Sequence, residues 1–209
     1  MLKTLLFDLD STLLHYETDD FLQEYLRALA SKVAHLVDPE RFIRDLLIST
    51  DAMIRNVDPS KTNREVFIED FFPRIGIPSE VLMPIFDDFY ANDYPSLRRY
   101  VRPEPSVRFM MEEAFRLGLN VVIATNPLFP LSAVKERLRW AEIADFEYRL
   151  VTTYEFMHFC KPNKEYFQEV LDLIGCSAGE SLMVGNDVDE DLAASMVGIK
   201  TFLVKDQAR

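Results

Sequence analysis

Residues Leu2 to Leu9 are apolar throughout except at Lys3, Thr4 and Asp8. A strand with one face in water alternates apolar and polar residues, whereas this run offers water neither face. It needs cover on both sides, which a parallel sheet flanked by helices supplies. The later sequence repeats that demand. Leu119–Thr125, Arg149–Thr152, Ser181–Gly185 and Lys200–Val204 are further strand candidates, separated by helical stripes. Val107, Met110, Met111, Ala114 and Phe115 form one stripe, stopped by Gly118. Phe167, Val170, Leu171 and Ile174 form another before Gly175, and Leu192, Ala193, Met196 and Val197 a third before Gly198. The expected fold class is α/β, with a doubly wound parallel sheet.

Between about Asp19 and Asn92 this rhythm breaks, giving four helical patterns and no strand. Phe21, Tyr25, Leu26, Leu29, Val33 and Leu36 make the first. Asp38-Pro39 opens the second with a cap residue and a proline at the first helical position, followed by Phe42, Ile43, Leu46 and Leu47. Thr62 and Glu65 have capping-box spacing ahead of Val66, Phe67 and Phe71. Pro78-Ser79 precedes Val81, Leu82, Ile85, Phe86 and Phe89. The spacing predicts an all-helical domain inserted after the first strand. Its crossing segments fall near 15–19 and 94–103. The expected division is a discontinuous core, 1–14 with 102–209, and an insert over 15–101.

Composition narrows the function. With 48% hydrophobic and 28% charged residues among 209, the chain is globular. A formal net charge of −12 argues against a nucleic-acid surface. No stretch nears the roughly 18–20 apolar residues of a membrane span, and Met1-Leu2-Lys3-Thr4 opens no secretory segment. Cys160 and Cys176 make no disulfide framework, so a reducing cytoplasm is the expected compartment. His15, His35 and His158 are too dispersed for a zinc site. Neither a GxxxxGK phosphate loop nor a GxGxxG fingerprint occurs.

The chemistry-bearing residues gather at strand ends. Asp8 and Asp10 lie two apart, so they emerge on one side at the carboxyl edge, where open α/β sheets bind ligands. A turn or cap role would suit one aspartate but poorly explains two. Thr125-Asn126 ends a second strand, Lys161-Pro162 precedes a helix, and Gly185-Asn186-Asp187 ends another strand with Asp191 one turn on. Taken singly, Thr125, Asn126 and Asp187 could be caps and Lys161 a solvated charge. Their joint occurrence in this order is harder to dismiss.

In these pieces (DLDST at 8–12, Thr125 closing VVIAT, Lys161 of CKPNKEYF, and GNDVDED at 185–191) the chain resembles the haloacid dehalogenase superfamily of phosphohydrolases. The resemblance covers the four signature motifs and the whole chain, and implies a Rossmann-like core with a C1-type helical cap. It implies that Asp8 attacks phosphorus to form an aspartyl-phosphate. Asp10 then protonates the leaving alkoxide and later deprotonates water. Thr125, Asn126 and Lys161 would hold phosphoryl oxygens, Mg2+ would sit among Asp8, Asp10, Asn186 and Asp187, and Asp191 would orient Lys161 or a metal-bound water. The implied partner is a small phosphorylated metabolite. A sugar phosphomutase, or a binding protein on the same fold without turnover, are the alternative readings. Dehalogenation needs no acid for its leaving group, so Asp10 favours phosphoryl transfer.

One departure stands out. The family places an acidic residue directly after the glycine, whereas Gly185 is followed by Asn186 and then Asp187. A carboxylate adds a full charge to the attraction for magnesium, so the expectation is a site using both positions with Asp187 supplying the charge. His15 and Tyr16 could touch substrate or simply pack against the cap. Cys160 reads as a buried thiol and Trp140 as core. Arg55, Arg64, Arg98 and Arg99 could meet an anionic substrate end or remain solvated.

Overall fold

The computed structural model describes residues 1–16 and 20–204. Residues 17–19 of the first crossing segment, and 205–209 of the expected core, lie outside the described residues. Five parallel strands form the sheet: β1 (Thr4–Phe7), β4 (Asn120–Ile123), β5 (Leu150–Val151), β6 (Ser181–Gly185) and β7 (Lys200–Leu203). Their order is β5-β4-β1-β6-β7, so the first strand is central. Thr4 to Phe7 pair with Asn120 to Ile123 on one side and with Ser181 to Val184 on the other. The doubly apolar pattern of the first strand is the signature of that central place. Phe7, Val121 and Ile123 pack with α5 (Pro105–Arg116) and α6 (Leu131–Trp140). Leu6, Val122 and Met183 face the opposite way, against α7 (Lys164–Ile174).

Strand candidates lie where the sequence places them; Ser181–Gly185 matches to the residue and the others are shorter. The stripe over 192–197 is a 3-10 segment rather than an α-helix. Gly118, Gly175 and Gly198, read as stops, all take positive φ (72°, 67° and 86°).

The insert carries α1 (Asp20–Val33), α2 (Pro39–Arg55), α3 (Asn63–Ile75) and α4 (Ser79–Asp88). Asp38 caps α2 by accepting from the Arg41 N–H, and Thr62 and Glu65 form the reciprocal box at α3. The fourth pattern changes pitch at Phe89: a π turn (Phe89–Asp93) leads into a 3-10 stretch (Tyr94–Tyr100). Most of the second crossing segment is therefore helical. Only Val101–Arg102 (β3) is extended, pairing antiparallel with His15–Tyr16 (β2). No helix among the described residues is long and apolar enough to cross a membrane.

Aromatic rings hold the insert together and seat it on the sheet domain. Within it, Phe71 is fully buried and contacts the rings of Phe42, Phe67, Phe72 and Phe86. Across the seam, Tyr94 stacks on Trp140 (5.1 Å between centroids) and Tyr25 meets Phe129 edge-on (5.4 Å). Buried Trp140 thus belongs to the junction between the two parts. A second junction lies at the start of α3, where Asn63 N–H donates to the Met157 carbonyl (2.7 Å) and its side chain to that of Phe159 (3.2 Å).

Removing Phe71 leaves a cavity among four rings that the surrounding helices cannot fill. Phe71→Ala is expected to cost about 3–5 kcal/mol of unfolding free energy, measured by urea titration. A loss below about 1 kcal/mol would mean that this aromatic cluster is not the core of the insert.

Candidate active site

Asp8 leaves β1 at its carboxyl edge. Its N–H donates to the Val184 carbonyl (2.9 Å), while Phe7 accepts from Ala124 (2.7 Å), so Asp8 sits between Thr125 and Gly185. The chain then doubles back tightly. The N–H groups of Thr12, Leu13 and Leu14 all reach the Leu9 carbonyl, and Ser11 takes a φ of 63°. A left-handed serine costs on the order of 1 kcal/mol, tolerated here because the loop aims Thr12 back at the strand end. The Thr12 hydroxyl lies 3.0 Å from Asp8 Oδ2 and 3.0 Å from Asn186 Oδ1. Two oxygens from different strands therefore face one point.

Lys161 is fully buried behind Asp8. Its Nζ donates to Asp8 Oδ1 (2.9 Å) and to Asp191 Oδ1 (2.6 Å). The other oxygen of Asp191 accepts the N–H groups of Asn186 (2.9 Å) and Asp187 (3.0 Å). Gly185 makes this possible, since a Cβ there would lie 2.1 Å from Asp191 Oδ2. Asp187 spends one oxygen on the turn, accepting from Asp189 and Glu190 N–H (2.8 Å each). Asn126 Oδ1 accepts from Lys161 N–H (3.2 Å), and its amide donates to Glu190 (3.2 Å).

A pocket of about 520 Å3 joins these groups. Asp8, Asp10, Thr125, Asn126, Asn186, Asp187 and Asp191 all line it, and Lys161 stands directly behind. Arg55, Arg64, Arg98 and Arg99 do not line it. Arg55 pairs with Asp51, and Arg98 donates to the Val101 carbonyl. The thiol of Cys160 is buried, and that burial pushes it well above the ordinary thiol value.

Sequence reading missed Arg137 and Glu190, and left Tyr16 undecided. Asp10 is held by two short contacts, one from Tyr16 O–H and one from Arg137 Nη1. Arg137 is almost wholly buried and lies over the Phe129 ring at 4.0 Å. Its signal was a charge on the apolar stripe of α6, among Ala133, Val134 and Leu138, where a solvated arginine has no place. His15 pairs through its backbone with Arg102 and is not among the described residues that line the pocket.

Five carboxylates line the pocket (Asp8, Asp10, Asp187, Glu190, Asp191) against two cations, Arg137 and Lys161, a formal excess of three negative charges. Burial pushes Asp8 up to about 7. Lys161 opposes the rise, and Asp191 and Asp10 add to it. Burial also raises Glu190, with Lys161 opposing and Asp187 assisting. Burial disfavours the Lys161 ammonium, yet Asp8 and Asp191 more than reverse this and hold it protonated.

The donor set fits a hard cation. Every candidate ligand is an oxygen, and Asp8 Oδ2 and Asn186 Oδ1 are brought close together by their shared contact with the Thr12 hydroxyl. Among the described residues no three His, Cys, Asp or Glu side chains form a complete cage. Magnesium needs none, because it keeps several waters and takes substrate oxygens beside one or two protein ligands.

The sequence profile of the haloacid dehalogenase-like hydrolases matches residues 5–204. Glyceraldehyde 3-phosphate phosphatase of Methanothermobacter thermautotrophicus is 26% identical over 218 residues, spanning 99% of this chain and 87% of its own. Among solved structures, 2-haloacid dehalogenase of Pseudomonas syringae superposes with a TM-score of 0.67 at 19% identity, over 100% of this chain and 89% of that one. The magnesium-bound HAD-hydrolase YfnB of Bacillus subtilis gives 0.59 at 20% identity, over 100% and 91%.

Asp8 makes the metal-free protein pH-sensitive. Its folded value, about 7, lies above the unfolded carboxylate value near 4, so unfolded chains release this proton first as pH rises. The Asp8 contribution to stability therefore falls between about pH 4 and 7 and is lost above that. With EDTA present, Asp8→Asn should gain stability relative to the parent as pH rises from 5 to 8, read from urea midpoints. A pH-independent gap would show that Asp8 carries no such burial cost.

Proposed function

The chain belongs to the haloacid dehalogenase-like hydrolase family, and on that premise we propose that it is a magnesium-dependent phosphatase of small phosphomonoesters. The observation that carries this reading is the pairing of Asp8, backed by Lys161, with Asp10 on the same pocket wall. A carbon–halogen bond can be displaced by one carboxylate alone. An alkoxide leaving group needs a proton, and Asp10 is the group placed to give it.

In this mechanism Asp8 attacks phosphorus in line. The ester P–O bond breaks, and the alkoxide leaves with a proton from Asp10. Water then attacks the aspartyl-phosphate while Asp10 takes its proton, releasing phosphate and restoring Asp8. Thr125, Asn126 and the Lys161 ammonium carry the phosphoryl oxygens. Asp191 holds Lys161 in place, and Tyr16 and Arg137 hold Asp10. Bound magnesium would neutralise charge between Asp8 and the phosphoryl group. Asp8, Asp10, Asn186 and Asp187 are the proposed metal-site residues. The geometry favours Asn186 as the direct side-chain ligand, since its amide oxygen shares the Thr12 contact with Asp8 while Asp187 caps the turn. This reverses the weight that charge alone assigns to Asp187. The helical insert, proposed as a cap over 15–101, roofs the pocket through Phe21 and Leu22 and excludes large substrates.

Phosphate release from a panel of small esters, with magnesium and with EDTA, tests the reading. Asp8→Asn should lose several orders of magnitude in kcat while folding normally, and ordinary turnover by that variant would overturn the nucleophile assignment. Asn186→Ala should raise the magnesium concentration for half-maximal activity more than tenfold. Asp187→Asn, which keeps the capping oxygen, should raise it only a few-fold. The opposite ranking would return the main ligand to Asp187.

A further inference from the structure

A second chamber, of about 230 Å3, opens inside the insert between α1, α2, α3 and α4 and the loop at Leu128–Pro130. Leu22, Leu128 and Phe129 line both it and the catalytic pocket, so the two spaces adjoin through a hydrocarbon neck. Its walls are Leu26, Leu29, Leu46, Phe67, Ile68 and Met83, among others. Three hydroxyls on the wall already have partners. The Tyr25 and Tyr90 hydroxyls bond to each other (2.8 Å), and the Thr50 hydroxyl donates to the Leu46 carbonyl (2.9 Å). Among the described residues no lysine, arginine or histidine lines the chamber, and its one charge is the carboxylate of Asp87.

Such walls cannot recognise an anion. A second phosphate or a carboxylate on the leaving group would meet hydrocarbon and Asp87 there, because Arg137, whose Nη1 pairs with Asp10, lines the catalytic pocket and not the chamber. A polyhydroxylated leaving group would find few open hydrogen-bond partners and would lose its hydration. A hydrocarbon chain loses nothing on entry and removes lining such as Leu22, now 53% exposed, from water. An engineered apolar cavity of about 150 Å3 accepts benzene, so this chamber has room for roughly six to ten carbon atoms.

We propose that the chamber is the leaving-group subsite, and that the substrates are phosphomonoesters of apolar alcohols of about that length. This rests on the phosphatase reading for its chemistry, but the binding claim is measurable without turnover. The probes are ethyl, butyl, hexyl and octyl phosphate, with glycerol phosphate and ribulose bisphosphate as polar comparisons. Calorimetry on the Asp8→Asn protein with magnesium should show Kd falling about two- to fourfold per added methylene up to roughly eight carbons. Neither polar ester should gain over ethyl phosphate. Met83→Trp, filling the chamber, should flatten the series, with Thr50→Phe as the alternative if that variant misfolds by circular dichroism. A flat series in the unfilled protein, or tighter binding of the bisphosphate than of octyl phosphate, overturns the proposal. Hydrolysis of p-nitrophenyl phosphate by the parent chain, run alongside, reports on the phosphatase reading independently.

Discussion

The buried ammonium of Lys161 is the contact on which the site depends. Placing one cation out of water is costly, and two carboxylates, Asp8 and Asp191, make it tenable. Neither carboxylate would tolerate its own burial alone. Leaving the ammonium with no carboxylate would cost several kcal/mol, so the burial of Lys161 requires that Asp8 or Asp191 remain beside it. They come from three separate stretches: the end of β1, the loop before α7 and the segment after β6. Folding the sheet is therefore the same event as assembling the site. Asp191 extends the linkage by accepting the two N–H groups that shape the Asn186-Asp187 turn, and Gly185 leaves it room.

Arg137 plays the corresponding part between sheet domain and insert. Rooted on α6, it reaches Asp10 on the pocket wall and lies across Phe129, which also meets Tyr25 of α1. Tyr16, on the strand that enters the insert, meets the same Asp10 carboxylate. The second aspartate is thus tied to both parts of the molecule, so movement of the insert would be felt at Asp10. Phe129 also forms part of the neck between the acidic pocket and the apolar chamber. Charge and hydrocarbon are segregated across a neck of three side chains, Leu22, Leu128 and Phe129.

Much of this was legible in the chain. The unbroken apolar run before Asp8 required a strand covered on both faces, because any exposed face would have shown alternation. Asp38-Pro39 and Thr62 with Glu65 marked helix starts by chemistry that acts within four residues, and both caps formed as read. The fourth helical pattern was legible only in part. Its apolar spacing continued through Phe89, but the chain changes to a π turn there, where the Tyr25 ring of α1 packs against both Phe89 and Tyr94. Asn186 and Asp187 show the same limit at the site. Alternation ends with the strand, so nothing local to the sequence says which side chain turns inward.

By itself the sequence determined the sheet strands, the run of helices between β1 and β4 and the polar residues at the strand ends, because strand covering, capping and carboxylate pairing are local properties of residue type and spacing. It placed Asp8, Asp10, Thr125, Asn126, Lys161, Asn186, Asp187 and Asp191 at strand ends, and all of them meet at one pocket. Only the tertiary structure decided that β1 is central, that Arg137 and Tyr16 hold Asp10, that Asn186 rather than Asp187 faces Thr12, and that the insert encloses an apolar chamber. The reason is physical. Periodicity records which face of an element leaves water, but the partner it meets there, and any space left between them, are set by contacts between residues far apart in the chain.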